Sequence, residues 1–292
     1  ATFGTTIISD VTGGSAIMTV APRACVIGNP ISHSLSPKLH GYWLDRYGIQ
    51  GEYTAMQVLE PDLEATIRSL PGQGFVGLNV TLPHKVAVLE IADQVTDRAT
   101  LIGAANTLTF KEDGRIIADN TDGYGFIANL RQGAPNWNPK AGPAMIFGAG
   151  GAARAIIVAL ADAGVPEIII SNRTRAKAEA LRADFGARIR VVDWVQAGQA
   201  LGDVNLLVNT TSLGMMGAAD FKVSLDALRP DTTVTDIVYN PLRTPFLQAA
   251  EEIGCIAVDG LGMLLHQGVP GFERWFGQRP EVDEATRRAV LA

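Results

Sequence analysis

The stretch AMIFGAGGAARA, Ala144 to Ala155, constrains the fold more than any other part of the chain. Four apolar residues read as a short buried strand. Gly148, Gly150 and Ala153 then follow in a G-x-G-x-x-A spacing that turns directly into a helix over 152–163, closed by Gly164. The first glycine permits the tight turn, the second lets the main chain approach a pyrophosphate, and the small residue at 153 lets helix and strand pack closely. The first amides of the helix face the anion. A glycine pattern alone is weak, but EIIIS (Glu167 to Ser171) supplies the next strand and completes a βαβ unit. The expected ligand is therefore a dinucleotide, lying against Gly148, Ala149, Gly150, Gly151 and Ala152; the competing reading is a turn whose glycines serve packing only.

The end of the second strand distinguishes the two common dinucleotides. An NAD-binding chain usually places an acid there, about twenty residues after the first glycine, to accept from the ribose 2′-hydroxyl. Glu167 has nearly that spacing but precedes the apolar run, at the wrong end of the strand. The far end reads Ser171, Asn172, Arg173, Thr174, with Arg175 and Lys177 close behind. Guanidinium, amine and hydroxyl groups suit a 2′-phosphate, so NADP is expected, against the plainer reading of a solvated basic turn.

A second informative stretch is GLNVTLPHK, Gly77 to Lys85. Asn79 and Thr81 stand two apart, which in a strand sends both side chains to one face, and Pro83 ends the ladder two residues before Lys85. An exposed lysine at a helix start is the plainer account of Lys85 taken alone. ADNTDGYG (Ala118 to Gly125) adds Asn120, Thr121 and Asp122 on what reads as a glycine-flanked turn, and SHSLSP (Ser32 to Pro37) adds three hydroxyls. An amine, a carboxylate and neutral donors suit proton transfer to a small, oxygen-rich anion.

Short strands alternate with helical stretches on either side of these motifs. ACVIG, EYTAMQV and GFVGLNVTL read as strands, Pro37 to Tyr47 and Pro61 to Leu70 as helices, a β-α-β-α order that predicts a mostly parallel sheet covered by helices. NLRQGAPNWNPKAGP (Asn129 to Pro143) reads as a loop near a domain boundary. After Gly260 the chain turns helical again (Gly262 to Phe276), too late to extend a second sheet. The expected organisation is a flexible leader over 1–20, with Met18 near the natural start, an α/β substrate-binding domain over 21–121, a dinucleotide-binding domain over 122–260, and C-terminal helices over 261–292 that return to the first domain.

Composition narrows the partners. The 292 residues are 47% hydrophobic and 18% charged, ordinary for a globular chain, and the net charge of −6 offers no broad basic field for nucleic acid. Two cysteines, Cys25 and Cys255, form no CxxC pair and suit a reduced cytoplasmic setting. His33, His40, His84 and His266 have no HxH or HExxH spacing, so no metal site is expected. No apolar run reaches the eighteen residues of a membrane span.

Taken in order, GNPISHSLSPKLH, GLNVTLPHK, GAANTL, DNTDGYG, GAGGAARA, NRT, NTTSLGM, DIVYNPLRTP and DGLGMLLHQG resemble the shikimate dehydrogenase family, from about Cys25 to the C-terminal region. The resemblance implies NADP-dependent, reversible reduction of 3-dehydroshikimate to shikimate in aromatic amino acid biosynthesis, by a substrate domain and a Rossmann domain flanking a cleft. By the same resemblance, Ser34 and Ser36 hold the substrate carboxylate, with Tyr239 near it. Thr81, Asn106 and Gln267 meet the ring hydroxyls, and Lys85 with Asp122 forms the catalytic pair. Gly260 and Met263 line the nicotinamide pocket, and Asn172, Arg173 and Thr174 serve the adenosine phosphate, with Lys177, read from its charge and position, as a further cofactor contact. A homodimer is compatible with the resemblance, although the sequence does not fix the assembly.

Plainer roles stand beside these: Ser34 and Ser36 as helix caps, Asn106 closing a turn, Tyr239 and Met263 as core residues, His33 and His84 as cleft-edge residues. Relatives that favour quinate or NAD often carry threonine where this chain has Ser36 and an acid where it has Arg173, so both positions point to shikimate with NADP. Two alternatives remain at this level: a broader quinate/shikimate dehydrogenase, and a catalytically silent NADP-binding sensor. Retention of Lys85 and Asp122 speaks against the second. Which of the two is the formal acid or base is not decided by sequence, because a coupled pair titrates as a unit.

Overall fold

Two six-stranded sheets, each in its own unit, organise the chain. The computed structural model describes residues 19–292, so all of the expected leader except Thr19 and Val20 lies outside the described residues. One unit is formed by the chain up to Thr121 together with Gly268–Ala292, the other by Asp122–Gln267.

The first unit begins with β1 (Arg23–Gly28), α1 (Ser36–Arg46), β2 (Glu52–Gln57), α2 (Leu63–Ser69) and β3 (Phe75–Val80). It continues with α3 (Val88–Ile91), β4 (Gln94–Val95), α4 (Asp97–Ile102), β5 (Thr107–Phe110) and β6 (Ile116–Asp119). The strand order is β2-β1-β3-β5-β6-β4. β1 lies parallel to β2 and β3, as the alternation predicts, but β5 runs antiparallel to both β3 and β6, so this sheet is mixed. The local cause is the tight turn between β5 and β6, where Lys111 N donates to Arg115 O and Gly114 N to Lys111 O; a connection that short can only join antiparallel strands. Cys25, Ile27, Ile67, Leu78, Val88 and Leu108 centre the core.

The second unit comprises α5 (Asp122–Gly133), β7 (Ala144–Phe147), α6 (Gly151–Ala163), β8 (Ile168–Ser171), α7 (Arg175–Phe185) and β9 (Ile189–Val191). Then come β10 (Leu206–Asn209), β11 (Thr233–Asp236), α8 (Pro245–Ile253), β12 (Ile256–Val258) and α9 (Leu261–Gln267). All six strands are parallel in the order β12-β11-β10-β7-β8-β9. β7, β8 and β10 are buried at every position, which is why they read as unbroken apolar runs apart from their terminal Ser171 and Asn209. α10 (Val269–Phe276) and α11 (Glu284–Leu291) complete the first unit.

Three expectations change. DNTDGYG is not a turn through Asp122, because α5 starts at that residue and includes Gly123 and Gly125. Both glycines are packing positions: a Cβ on Gly125 would lie 2.6 Å from the Met263 carbonyl oxygen and 2.8 Å from the Gln267 amide nitrogen. For the same reason α9 belongs with the second unit, not with the helices that return to the first. Finally, the helix expected over 262–276 is broken at Gly268. That glycine is wedged against Leu39, His40 and Trp43, and Pro270 in the first turn of α10 has no amide hydrogen to donate back to the end of α9.

Candidate functional site

The loops leaving β1 and β3 are tied to each other. Thr81 N donates to Ile27 O and Asn29 N to Leu82 O, at 2.9 and 3.0 Å, and Gly28 packs so tightly on Thr81 that an added Cβ would sit 2.4 Å from its methyl. Thr81 stands one residue past β3, half-buried. Lys85 is half-buried in the turn before α3, and its carbonyl accepts from Ala105 N at 2.8 Å, which sets it beside the strand entry at Asn106. Ser34 Oγ accepts from Ser36 N at 3.3 Å at the entry to α1, and Ser36 is buried. Five of the expected residues, Ser34, Ser36, Thr81, Lys85 and Asn106, thus sit on the loops, strand ends or helix start of the first unit.

Asn79 takes another role than its pairing with Thr81 predicts. It is buried, accepts from the Tyr53 hydroxyl at 2.7 Å, and donates to Asn106 O at 3.1 Å. Asn106 in turn accepts from Thr121 N at 2.9 Å and donates to Thr121 Oγ1 at 2.9 Å, so it also closes the turn after β6. A buried hydrogen-bonded chain therefore links Tyr53 to Thr121 through Asn79 and Asn106. Tyr53 and Thr121 carried no sequence signal of this role beyond their residue type, because their partners are remote along the chain.

Asp119 is a further buried acid with no sequence signal. Arg98 grips it with two hydrogen bonds, 2.7 and 2.6 Å, Arg274 adds one at 2.8 Å, and Thr96 Oγ1 and Asn120 N each donate at 2.8 Å. Burial opposes its ionisation, but the hydrogen bonds from Arg98, Thr96 and Arg274 win and hold the carboxyl well below the usual range. The histidines are ordinary by comparison. His40 is fully buried and stacked on Tyr53 at 4.0 Å, and burial pushes its pKa down to about 3, so it is neutral. His84 is buried with Nε2 2.6 Å from Val58 O, a core residue instead of the cleft-edge one its sequence position suggested, and His33 is exposed. Both cysteines are buried and free, with burial raising the Cys25 thiol to about 12.

In the second unit the nucleotide motif has the geometry its spacing predicts. Gly148 adopts φ +112°, and an added Cβ would meet Thr210 Oγ1 at 2.3 Å, so a side chain is excluded twice over. A Cβ on Gly150 or Gly151 would meet nothing within 4 Å: the α6 N-terminus has open space above it, no side chain caps it, and no acid lies in its first turn. Ala153 is fully buried against the sheet. At the end of β8, the buried Ser171 Oγ has no hydrogen-bond partner among the described residues. Asn172 donates to Thr174 O at 2.9 Å, Arg173 is exposed with its guanidinium 5.9 Å from the Trp194 ring, and Lys177 is exposed on α7. Arg175, by contrast, is engaged by Glu179 and Asp193. Uncapped amides, open glycines and an exposed guanidinium and amine fit a dinucleotide carrying an extra phosphate.

The remaining expected residues also lie in this unit. Asp122 is half-buried at the first residue of α5, where the helix dipole favours a carboxylate. Gln267 ends α9 and donates to Leu264 O at 2.9 Å, while Met263, on the same helix, packs against the core. Gly260 is buried so closely that a Cβ would lie 2.5 Å from Asp236 O and 2.6 Å from Ile237 O; Tyr239, half-buried, follows two residues on. Asp236, at the end of β11, accepts from Thr244 Oγ1, Val238 N and Asn209 Nδ2, yet burial lifts its pKa to about 6. Among the described residues no three His, Cys, Asp or Glu side chains gather as a metal ion would require, and no helix is long and apolar enough to cross a membrane.

A parallel sheet whose halves diverge from β7 and β10, with the glycine turn after β7, defines the Rossmann class of dinucleotide-binding folds, in which ligands lie at the carboxyl ends of the strands where the order reverses. Comparison with known proteins narrows the class. Residues 26–108 match the shikimate dehydrogenase substrate binding domain, 135–224 the shikimate/quinate 5-dehydrogenase model, and 260–291 the shikimate 5′-dehydrogenase C-terminal domain. The shikimate dehydrogenase (NADP(+)) of Roseobacter denitrificans is 65% identical over 274 residues, 94% of this chain and 99% of that protein. Among solved structures, the Thermus thermophilus shikimate 5-dehydrogenase in complex with NADP(H) and shikimate is 37% identical, with a TM-score of 0.81 over 91% of this chain and 99% of that one. Corynebacterium glutamicum quinate dehydrogenase in complex with NAD is 29% identical, with a TM-score of 0.86 over 93% and 99%. The chain belongs to the shikimate dehydrogenase family.

Proposed function

We propose that the chain reversibly reduces 3-dehydroshikimate to shikimate with NADP, as a cytoplasmic enzyme of aromatic amino acid biosynthesis. The observation that carries this reading is the 65% identity, over 94% of the chain, to a relative named for that activity and cofactor. Two free cysteines accord with a reducing compartment.

When bound, the nicotinamide supplies the hydride in reduction and takes it in oxidation. The chain's own residues must manage the proton. The ammonium of Lys85 donates it to the developing alkoxide oxygen, and the amine recovers it in the reverse direction, while Asp122 orients that amine and binds a neighbouring hydroxyl. Ser34 and Ser36 receive the carboxylate, with Tyr239 beside it, and Thr81, Asn106 and Gln267 receive the ring hydroxyls. Such a neutral polar cage discriminates a polyol because each unmatched buried donor or acceptor costs about 1–3 kcal/mol. The main chain of Gly148–Ala152 meets the pyrophosphate, Asn172, Arg173, Thr174 and Lys177 the 2′-phosphate, and Gly260 and Met263 the nicotinamide.

The test is a substrate and cofactor profile of the purified chain, following reduced nicotinamide by absorbance. Shikimate with NADP should be oxidised with the highest catalytic efficiency. Preference for quinate or NAD would move the chain to the broader dehydrogenase, and no oxidation of either substrate would leave the silent-sensor reading.

A further inference from the structure

Two chain crossings join the units, outward at Thr121–Asp122 and back at Gln267–Gly268. Asp119 stands just before the first, and Arg274, on α10, shortly after the second. The Asp119 carboxylate is 2% exposed, whereas Arg98 and Arg274 reach it from partly exposed positions, 43% and 37%. Its Oδ1 accepts from Thr96 Oγ1, Arg98 Nε and Asn120 N, and its Oδ2 from Arg98 Nη2 and Arg274 Nη2. Five hydrogen bonds thus converge on this one buried carboxylate.

What the arrangement immobilises is the main chain of residues 119–121. Asp119 holds Asn120 N with its side chain and Asn106 N with its carbonyl, the latter at 3.0 Å. Asn106 then holds Thr121 N and Thr121 Oγ1. The next residue is Asp122. We propose that Asp119, clamped between Arg98 and Arg274, is a positioning residue for the reaction: it fixes the carbonyl-and-amide frame that sets Asn106 and delivers Asp122 to its place. The inference rests on the roles proposed above for Asn106 and Asp122. It requires no contact of Asp119 with substrate. Arg274 makes the frame depend on α10, so the returning C-terminal segment helps hold the strand end from which the chain leaves the unit.

Displacing a reacting group by about 1 Å can cost roughly a hundredfold in rate, which sets the scale of the expected effect. The experiment uses the full chain with Arg274→Leu, Arg274→Lys and Asp119→Asn, measuring kcat and KM for shikimate, NADP affinity by calorimetry, and melting temperature. For Arg274→Leu the expected result is a fall in kcat of about 10- to 100-fold, a smaller rise in shikimate KM, and NADP affinity within twofold of wild type. Arg274→Lys should recover most of the loss, since an ammonium can still donate to Oδ2. Asp119→Asn should lose kcat in the same sense; if it does not fold, Arg274→Leu, altered at a partly exposed arginine, decides alone. A folded Arg274→Leu with wild-type kcat and KM, or one whose rate falls only in proportion to its unfolded fraction, would overturn the proposal. A wild-type chain inactive on shikimate with NADP would instead overturn the functional reading, and the two failures are told apart in the same assay.

Discussion

Arg173 is exposed at the end of β8, over the Trp194 ring, and no acid stands there to accept from a ribose hydroxyl. A charge-assisted contact with a 2′-phosphate contributes about 1.5–3 kcal/mol, roughly ten- to a hundredfold in affinity. Arg173→Ala should therefore weaken NADP binding by that factor and leave NAD almost untouched, and Arg173→Asp should go further by repelling the phosphate. Calorimetric affinities for the two cofactors check this; a constant ratio across the variants would make Arg173 a solvated turn residue. The serines separate in a similar way. Ser34 does accept from Ser36 N, as a cap-like residue would, while Ser36 is buried at the first residue of α1. Replacing both by alanine should weaken shikimate binding with NADP affinity nearly unchanged. Unchanged shikimate affinity with a lowered melting temperature would reduce them to supports of α1.

At the scale of the element, glycines in helices have opposite meanings that the backbone alone does not distinguish. Gly125→Ala places a methyl against the α9 main chain and should cost about 1–3 kcal/mol. Gly41, inside α1, has nothing within 4 Å of an added Cβ, so Gly41→Ala should stabilise by about 1 kcal/mol through helix propensity. Urea denaturation of both variants gives the two signs, and a Gly125→Ala chain as stable as wild type would refute the packing account. Sequence reading succeeds where local rules act alone. The β7-α6-β8 unit was legible because the strand, the glycine turn and the αL glycine closing the helix at Gly164 are all consecutive. It fails where tertiary packing chooses the residue: Gly123 and Gly125 read as turn formers but allow α5 to meet its neighbours, and the parallel alternation hid the hairpin that makes the first sheet mixed. The motif residues of the candidate site were legible for the same local reason. Asn79, Asp119 and their partners Tyr53, Arg98 and Arg274 were not, since nothing in their own surroundings records hydrogen bonds that span up to 155 residues.

For the whole molecule, two buried acids impose opposite pH dependences. Asp119 has its pKa depressed from an unfolded value near 3.8, so its stabilisation is present above that pH and is lost as pH falls towards the folded value. Asp236 is raised from 3.8 to about 6, so its contribution is complete below the unfolded value and disappears as pH rises through about 6. The expected result is that Asp236→Asn removes a loss of stability between pH 4 and 6 that wild type displays, of about 3 kcal/mol; melting curves over that range check it, and parallel curves would contradict it. The proposed proton transfer draws on residues of both units, since Lys85 lies in one and Asp122 opens the other. The central claim is that the loop after β3 carries the amine that moves the proton. Steady-state oxidation of shikimate with NADP by wild type and Lys85→Ala tests it most directly. General acid/base catalysis is typically worth about 10²–10⁴-fold, so turnover should fall by that factor with a much smaller change in shikimate KM; near-normal turnover in a folded Lys85→Ala chain would contradict the account.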